Sequence, residues 1–455
     1  MTERTFCIIG AGPCGLALAR AFRKAGIRYD HVERHSDVGG IWDIDNPGSP
    51  MYRSAHFISS KTQSHFLGFP MTADYPDYPS NTQILAYLRS FARTFGLYDH
   101  IRFGVGVVDV QQVSGGWQVA FSDGETRTYA GVICATGTNW EPQVPRFEGE
   151  FSGDLRHSVT YTSPDEFRGK KVLIVGAGNS GCDIACDAAR NASAAFISMR
   201  RGYHFIPKRV FGQPSDAFAA NGPHLPAALE RPIMQGLLRL LVGDLTRVGL
   251  PKPDHRLFES HPIMNDQLIH HLAHGDIRVK PDVERFDGLD VVFRDGTREA
   301  IDVVICATGY TMNIPYARRY FQWKSERPEL YLTIFNREHH NLFGLGYLET
   351  DGALYDLADW MAHLLTRYLL TQAASPDAPQ PFDTLIRDDR TDLSGGPHVD
   401  SPRHALYVQR RAYLKHLRAL CRRVGWPEPD AHALAVPVTA PRPLPGGATG
   451  QQVGA

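Results

Sequence analysis

At 455 residues, with 43% hydrophobic and 21% charged, the chain is too long for one ordinary domain and reads as a packed protein of two domains, or of one inserted in another. Its formal charge of -1 excludes a global field favouring nucleic acid or an anionic membrane, so any anion site has to be local. Seven scattered cysteines with no C-x-x-C pair read as core thiols of a reducing compartment.

The opening residues MTERTFCIIG run straight into a strand, leaving no room for a signal peptide. No apolar run approaches the roughly 20 residues of a membrane span. The expectation is a soluble, cytoplasmic protein with no membrane or nucleic-acid partner; a homodimer is left open. TFCIIGAGPCGLALARAFRKAG then reads as a buried strand, a glycine turn and a helix closing at Gly26, followed by the strand IRYDHVER. In this G-x-G-x-x-G context Gly10 permits the turn and Gly12 lets backbone N–H groups approach a pyrophosphate at the helix N-terminus, with Pro13 and Cys14 opening the helix. Gly15 allows close helix–strand packing, and Glu33, with Arg34 beside it, ends the next strand where a carboxylate accepts ribose hydroxyls.

RHSDVGGIW adds Gly39, Gly40, Ile41 and Trp42, which can bring backbone close to a bulky cofactor. The irregular polar and aromatic stretch Met51 to Pro79 has the character of a site-lining loop. SNTQILAYLRSFARTFGL is a helix with Ser80 or Asn81 as its cap. From Ile101 to Thr128 short alternating runs predict a small antiparallel meander. The strand YAGVICATG delivers Ala135, Thr136 and Gly137, small enough to press against a cofactor. Its near twin DVVICATGY, with Ala307, Thr308, Gly309 and Tyr310, suggests a chain that returns twice to one surface.

KKVLIVGAGNSGCDIACDAARNASAAFISMRR is a second strand–loop–helix–strand unit. Gly176, Gly178 and Gly181 hold the fingerprint positions, with Asn179 and Ser180 between them. Its second strand ends not in an acid but in Arg200 and Arg201, where a guanidinium would match a 2′-phosphate. Two such loops fit FAD bound first and NADPH second. The fold class is therefore α/β, with two dinucleotide-binding Rossmann-like domains, the NADPH domain inserted into the FAD domain. The boundaries expected are residues 1–165 and 301–436 for the FAD part and 166–300 for the NADPH part, with a helical insertion about 210–270. FGLGYLETDGALYDLADWMAHLLTRYLL predicts an amphipathic helix capping the flavin region, and residues 437–455 a disordered tail.

With these motifs the chain resembles the flavin-containing monooxygenases, relatives of the Baeyer–Villiger monooxygenases. The likeness runs to about Leu370 through both glycine loops, the GG-x-W segment and ATGY. Its most specific part is F-x-G-x-x-x-H-x-x-x-Y, met by Phe151, Gly153, His157 and Tyr161; the Baeyer–Villiger relatives usually end this motif in tryptophan. The resemblance implies that NADPH reduces FAD, that oxygen adds to the flavin as a peroxide, and that NADP stays to shield it. The oxygen then passes to an amine nitrogen or sulfide sulfur, or alternatively to a ketone. Water exclusion is central, and the cofactor carries the hard chemistry. Where the family carries an asparagine beside the flavin this chain has Ile58, which cannot donate a hydrogen bond. Either Ser59, Ser60, His56 or another group substitutes, or the peroxide is less protected and leaks. Lys61 matches a family lysine, with Thr62 after it on the cofactor side. Ser59, Ser60, Lys61 and His157 are thus the candidate catalytic side chains, although a hinge or purely structural role for His157 fits equally. No metal is implied. A flavin disulfide reductase lacks its C-x-x-C pair here, and a non-catalytic NADPH sensor stands as the reading from another class.

Overall fold

The computed structural model describes residues 4–222, 227–324, 326–375, 381–399 and 406–438. The tail expected after Pro437 falls outside these from residue 439 onward. The first nucleotide unit is built on a seven-stranded sheet, in the order Leu330–Tyr331, Phe335–Asn336, Leu342–Gly344, Gly131–Cys134, Thr5–Ile9, Arg28–Glu33, Ile101–Phe103. The last five of these run parallel. Central strands covered on both faces have to be apolar throughout, which is why Gly131–Cys134 is buried at every residue.

The second unit is a five-stranded parallel sheet, in the order Ile277–Lys280, Ala194–Ser198, Lys171–Val175, Val303–Cys306, Asp154–His157. Strand pairing therefore departs from the expected boundaries at 165 and 300. Asp154–His157 and Val303–Cys306 both belong to the second sheet, which closes only after Cys306. The twin ATG segments do not return to one surface. Each strand lies beside the nucleotide strand of its own sheet, Cys134 opposite Ile9 and Cys306 opposite Val175. Each unit also carries a three-stranded antiparallel meander: Val107–Val113, Gly116–Phe121 and Thr126–Tyr129 in the first, Val283–Asp287, Asp290–Phe293 and Arg298–Ala300 in the second. Ile101–Phe103, expected in the first meander, joins the main sheet instead. The insertion carries the helices Ser215–Asn221, Ala227–Val242 and Asp266–His274.

The links between the units pair with each other, Tyr310 opposite Pro142 and Thr311 opposite Glu141. Helix Asn81–Thr94 begins at Ser80, whose hydroxyl and Gln83 form a reciprocal capping box. All seven cysteines are buried and unbridged. Among the described residues no helix is long and apolar enough to cross a membrane, and no group of His, Cys, Asp or Glu is placed to hold a metal.

Helix Tyr355–Ala374 is not an amphipathic cap but a core helix, buried on nearly every face from Tyr355 to Leu369. Its acid Asp359 reads as solvent-facing in sequence, yet it accepts from Arg20 at 2.5 Å and from the Leu67 amide at 2.7 Å, both side chains of the ion pair being almost wholly buried. Arg20 also donates to the Leu67 carbonyl at 3.0 Å and lies over the Phe91 and Phe95 rings. Burial pushes the Asp359 carboxyl up, while Arg20 pulls it back. Removing one partner of such a pair strands a buried charge. We expect Asp359→Ala to cost about 3–5 kcal/mol in urea unfolding, and a paired Arg20→Met/Asp359→Leu variant to recover most of that loss.

Candidate functional site

Two glycine cradles lie at the C-terminal ends of the central strands. In the first, Gly10 has φ +104° and donates to Val32 O at 2.8 Å. A Cβ there would sit 2.7 Å from the Ala135 carbonyl, and one on Gly15 would overlap the Gly10 carbonyl, so both glycines are demanded by the fold. Gly12 is different. It has φ -73° at the start of helix Pro13–Ala25, and its Cβ would meet only Gly40 Cα at 3.7 Å. Pro13 takes the first helical position, where no N–H is needed. Cys14 is a packing residue, its thiol pushed up to about 12 by burial.

Glu33, 6% exposed, accepts from Ala11 N at 2.6 Å and His35 N at 2.9 Å. A carboxylate offers about four acceptor directions, which leaves capacity for ribose hydroxyls. Gly39 and Gly40, at φ +129° and +60°, bring their loop onto the cradle, with Gly39 N donating to Ala11 O at 3.1 Å. The Ile41 carbonyl accepts from Ser49 Oγ at 2.6 Å, and Trp42 packs 4.9 Å from the Phe57 ring. The Asn46 amide donates to Gly40 O at 3.1 Å while its own oxygen is buried without a partner. Ala135 N donates to Ile9 O at 2.9 Å, Thr136 Oγ1 lies 3.0 Å from the Tyr347 hydroxyl, and Gly137 has φ +78°. Trp140 donates to Thr136 O at 2.6 Å and stacks under the Arg34 guanidinium at 4.3 Å.

The second cradle repeats the first. Gly176 has φ +105°, donates to Ser198 O at 2.9 Å, and would press a Cβ to 2.5 Å from Ala307 O; a Cβ on Gly181 would overlap the Gly176 carbonyl. Gly178 starts helix Asn179–Asn191. Asn179 Oδ1 accepts from Met264 N at 3.4 Å, and Ser180 is exposed. Arg200 is exposed beyond the end of strand Ala194–Ser198. Arg201 is half-buried, 5.7 Å from the Tyr203 ring, with its Nε buried and unpartnered. Thr308 donates to Gln143 O at 2.5 Å, and Gly309 has φ +86°.

The candidate catalytic side chains do not converge. Ser59 Oγ accepts from Ser64 Oγ at 2.6 Å. Ser60 is fully buried, its amide donating to Asp216 at 2.6 Å and its hydroxyl 3.0 Å from that of Thr62, which is exposed. Lys61 donates to the carbonyls of Ala73, at 3.0 Å, and Tyr75, so its ammonium closes a turn of its own loop. His157 Nε2 donates to Gly309 O at 3.0 Å and its Nδ1 accepts from Val159 N at 3.1 Å. Burial lowers its pKa. With both nitrogens committed and the ring neutral, His157 ties the linkers together and is not placed for proton transfer. Gly153 is equally structural, since a Cβ would meet Asp302 O at 2.6 Å and the Phe151 ring at 2.7 Å.

A model of the flavin-binding monooxygenase-like family matches residues 3–404. The chain is 32% identical over 440 residues to flavin-containing monooxygenase 5 of Cavia porcellus, covering 90% of this chain and 81% of that one. Among solved structures it resembles S-allyl-L-cysteine S-oxygenase of Allium sativum (TM-score 0.62, 20% identity, 94% and 90% covered). It also resembles OTEMO in complex with FAD and NADP (TM-score 0.69, 17% identity, 92% and 98% covered). The chain belongs to the flavin-binding monooxygenase-like family. As a flavin-binding monooxygenase it is an enzyme that uses FAD and NADPH.

The residues present fit both groups: a glycine, Gly12, that the protein's own packing does not demand, spare acceptor capacity on Glu33, and buried polar atoms of Asn46 and Arg201 left without protein partners. At the family's asparagine position Ile58 is half-buried, and the neighbours that could replace an amide have protein partners: the Ser59 hydroxyl Ser64, the Ser60 hydroxyl Thr62, and Nδ1 of exposed His56 the Ser54 carbonyl. Several residues of the site carried too little sequence signal to be singled out. Asn46 and Trp140 sit in irregular loops, and Gly346, whose Cβ would reach within 2.5 Å of Cys14 Sγ, follows a strand of only three residues. Gly12→Ala should keep the fold, changing stability by about 1 kcal/mol or less, yet purify without FAD. Gly15→Ala should fail at the level of folding. Thermal melts together with the flavin absorbance of the purified variants check both.

Proposed function

We propose that this flavin-binding monooxygenase oxygenates soft nucleophiles, amine nitrogen or sulfide sulfur, with FAD in the first cradle and NADPH in the second. Gly12 and the N–H groups opening helix Pro13–Ala25 would take the FAD pyrophosphate, and Glu33 a ribose. Gly178 and helix Asn179–Asn191 would take the NADPH pyrophosphate, with Arg200 and Arg201 on the 2′-phosphate. Reduced FAD, when bound, supplies the activation of oxygen. What the chain adds is position and exclusion of water, and the commitment of the His157, Lys61, Ser59 and Ser60 side chains to protein partners supports that division of labour.

The observation carrying the substrate class is Tyr161, where ketone-oxygenating relatives usually have tryptophan. Its fully buried hydroxyl donates to Asp187 at 2.9 Å. A soft nucleophile needs no general base from the protein. The buried, unbridged cysteines support a reducing, cytosolic setting.

Assaying an aryl methyl sulfide and a cyclic ketone side by side with NADPH tests the class. Faster sulfoxide than lactone formation is expected, and the reverse ratio would make the chain a Baeyer–Villiger enzyme. Losing a charge-assisted contact to phosphate costs about 1.5–3 kcal/mol. Arg200→Ala and Arg201→Ala should therefore raise the KM for NADPH by about 10–100-fold and leave that for NADH nearly unchanged. Equal effects on the two coenzymes would remove the phosphate role.

A further inference from the structure

The loop that follows the first cradle is fastened to the helix that opens the second by hydroxyl-to-carboxylate bonds. Tyr52, 4% exposed, donates to Asp183 Oδ2 at 3.1 Å, and Ser54 donates to Asp187 Oδ2. The Arg53 amide between them donates to Thr162 O at 2.9 Å. Asp183 and Asp187 stand four residues apart on helix Asn179–Asn191 and so share one face. Asn265 holds the other oxygen of Asp183 at 2.6 Å, and Tyr161 shares Asp187 Oδ2 with Ser54. The Tyr52 ring packs 5.5 Å from that of Tyr161, inside the core of the second unit.

On the other side the same loop is bonded back to the first cradle. Asn46 donates to Gly40 O at 3.1 Å, Ser49 N donates to Asn46 O at 2.8 Å, and Met51 N donates to Ser49 Oγ at 3.2 Å. Gly40 itself lies against Gly12. Hydrogen bonds thus run along the loop from Gly40, packed on Gly12, to Met51, and the next residue, Tyr52, carries the link on to the helix of the other cradle. Apolar packing alone would tolerate sliding, whereas bonds to two carboxylates on one helix face fix distance and rotation together.

We propose that Tyr52 and Ser54, through Asp183 and Asp187, are positioning residues that lock the NADPH-side helix to the flavin-side loop, and that this lock suppresses leakage of reducing equivalents to oxygen. The leak is NADPH + H⁺ + O₂ → NADP⁺ + H₂O₂, in which the hydride's two electrons reduce oxygen and no substrate is oxygenated. The proposal rests on NADPH occupying the second cradle and is independent of the substrate class.

The test uses Tyr52→Phe and Ser54→Ala in the full-length, FAD-loaded protein, with two measurements on each: hydrogen–deuterium exchange of residues 51–60 and 179–191, and hydrogen peroxide formed per NADPH without substrate. Loss of one bond to a carboxylate shifts the docked equilibrium by about tenfold or more. Exchange in both segments should speed by about that factor and the peroxide yield should rise severalfold, at unchanged flavin content and near-unchanged KM for NADPH. Faster exchange with no rise in peroxide would reduce the contact to a structural one and overturn the proposal. A rise in peroxide without faster exchange would overturn the lock. Should Tyr52→Phe fail to fold, Ser54→Ala decides alone, since it removes only a hydroxyl.

Discussion

Everything else in the molecule follows from a contact between backbones. At Gly15 against Gly10, and again at Gly181 against Gly176, helix and strand approach so closely that no side-chain carbon fits between them. Such an approach lets each helix start at the tip of its strand and leaves its first N–H groups pointing into the space beyond. The next parallel strand then presses its own carbonyl, Ala135 O or Ala307 O, onto the first glycine of the turn. The two units are built alike because they solve one steric problem twice, and the recurring ATG segments are the imprint of that solution.

The fingerprint of the linking segment turns out to be mechanical. Phe151 packs 5.0 Å from Phe286 and Gly153 clears the Asp302 carbonyl. His157 ties Asp154–His157 to Gly309, and Tyr161, stacked 5.0 Å from Phe167, reaches Asp187. The four residues hold an edge strand, the second linker and helix Asn179–Asn191 in one arrangement. His157 donates from Nε2 and accepts at Nδ1, which requires the neutral ring, and burial lowers its pKa in that direction.

Much of this was legible in the chain, and the exceptions share a cause. Strand–glycine–helix units announce themselves because period, turn residues and caps lie within thirty or so residues. The start of helix Asn81–Thr94 at Ser80 or Asn81 could be read for the same reason, and the structure places the cap at Ser80. Asp154–His157 could not: DLRH is short, polar and half-exposed, and only its partner Val303–Cys306 makes it a strand. Helix Tyr355–Ala374 misled because Asp356, Asp359 and His363 mimic a solvent face. Asp359 finds Arg20 at a separation of 339 residues, and His363 contacts Pro427 O at 2.7 Å. Lys61 matched a family position, yet its carbonyl partners lie in an irregular loop whose course no local pattern dictates. Local signals survive translation into sequence, whereas pairings made across the chain do not.

The same distinction separates what the fold demands from what a ligand demands. Gly10, Gly15, Gly176 and Gly181 are each explained by the protein itself, through a positive φ or a carbonyl in the way. Gly12 is not, because its φ of -73° suits any residue and a methyl group would find ordinary contact at 3.7 Å. The buried oxygen of Asn46 and the buried Nε of Arg201 are likewise left without protein partners, against the strong tendency of buried polar groups to be bonded. Asn46 is bonded to Gly40 beside the first glycine turn, and Arg201 follows the strand whose Ser198 carbonyl meets the second.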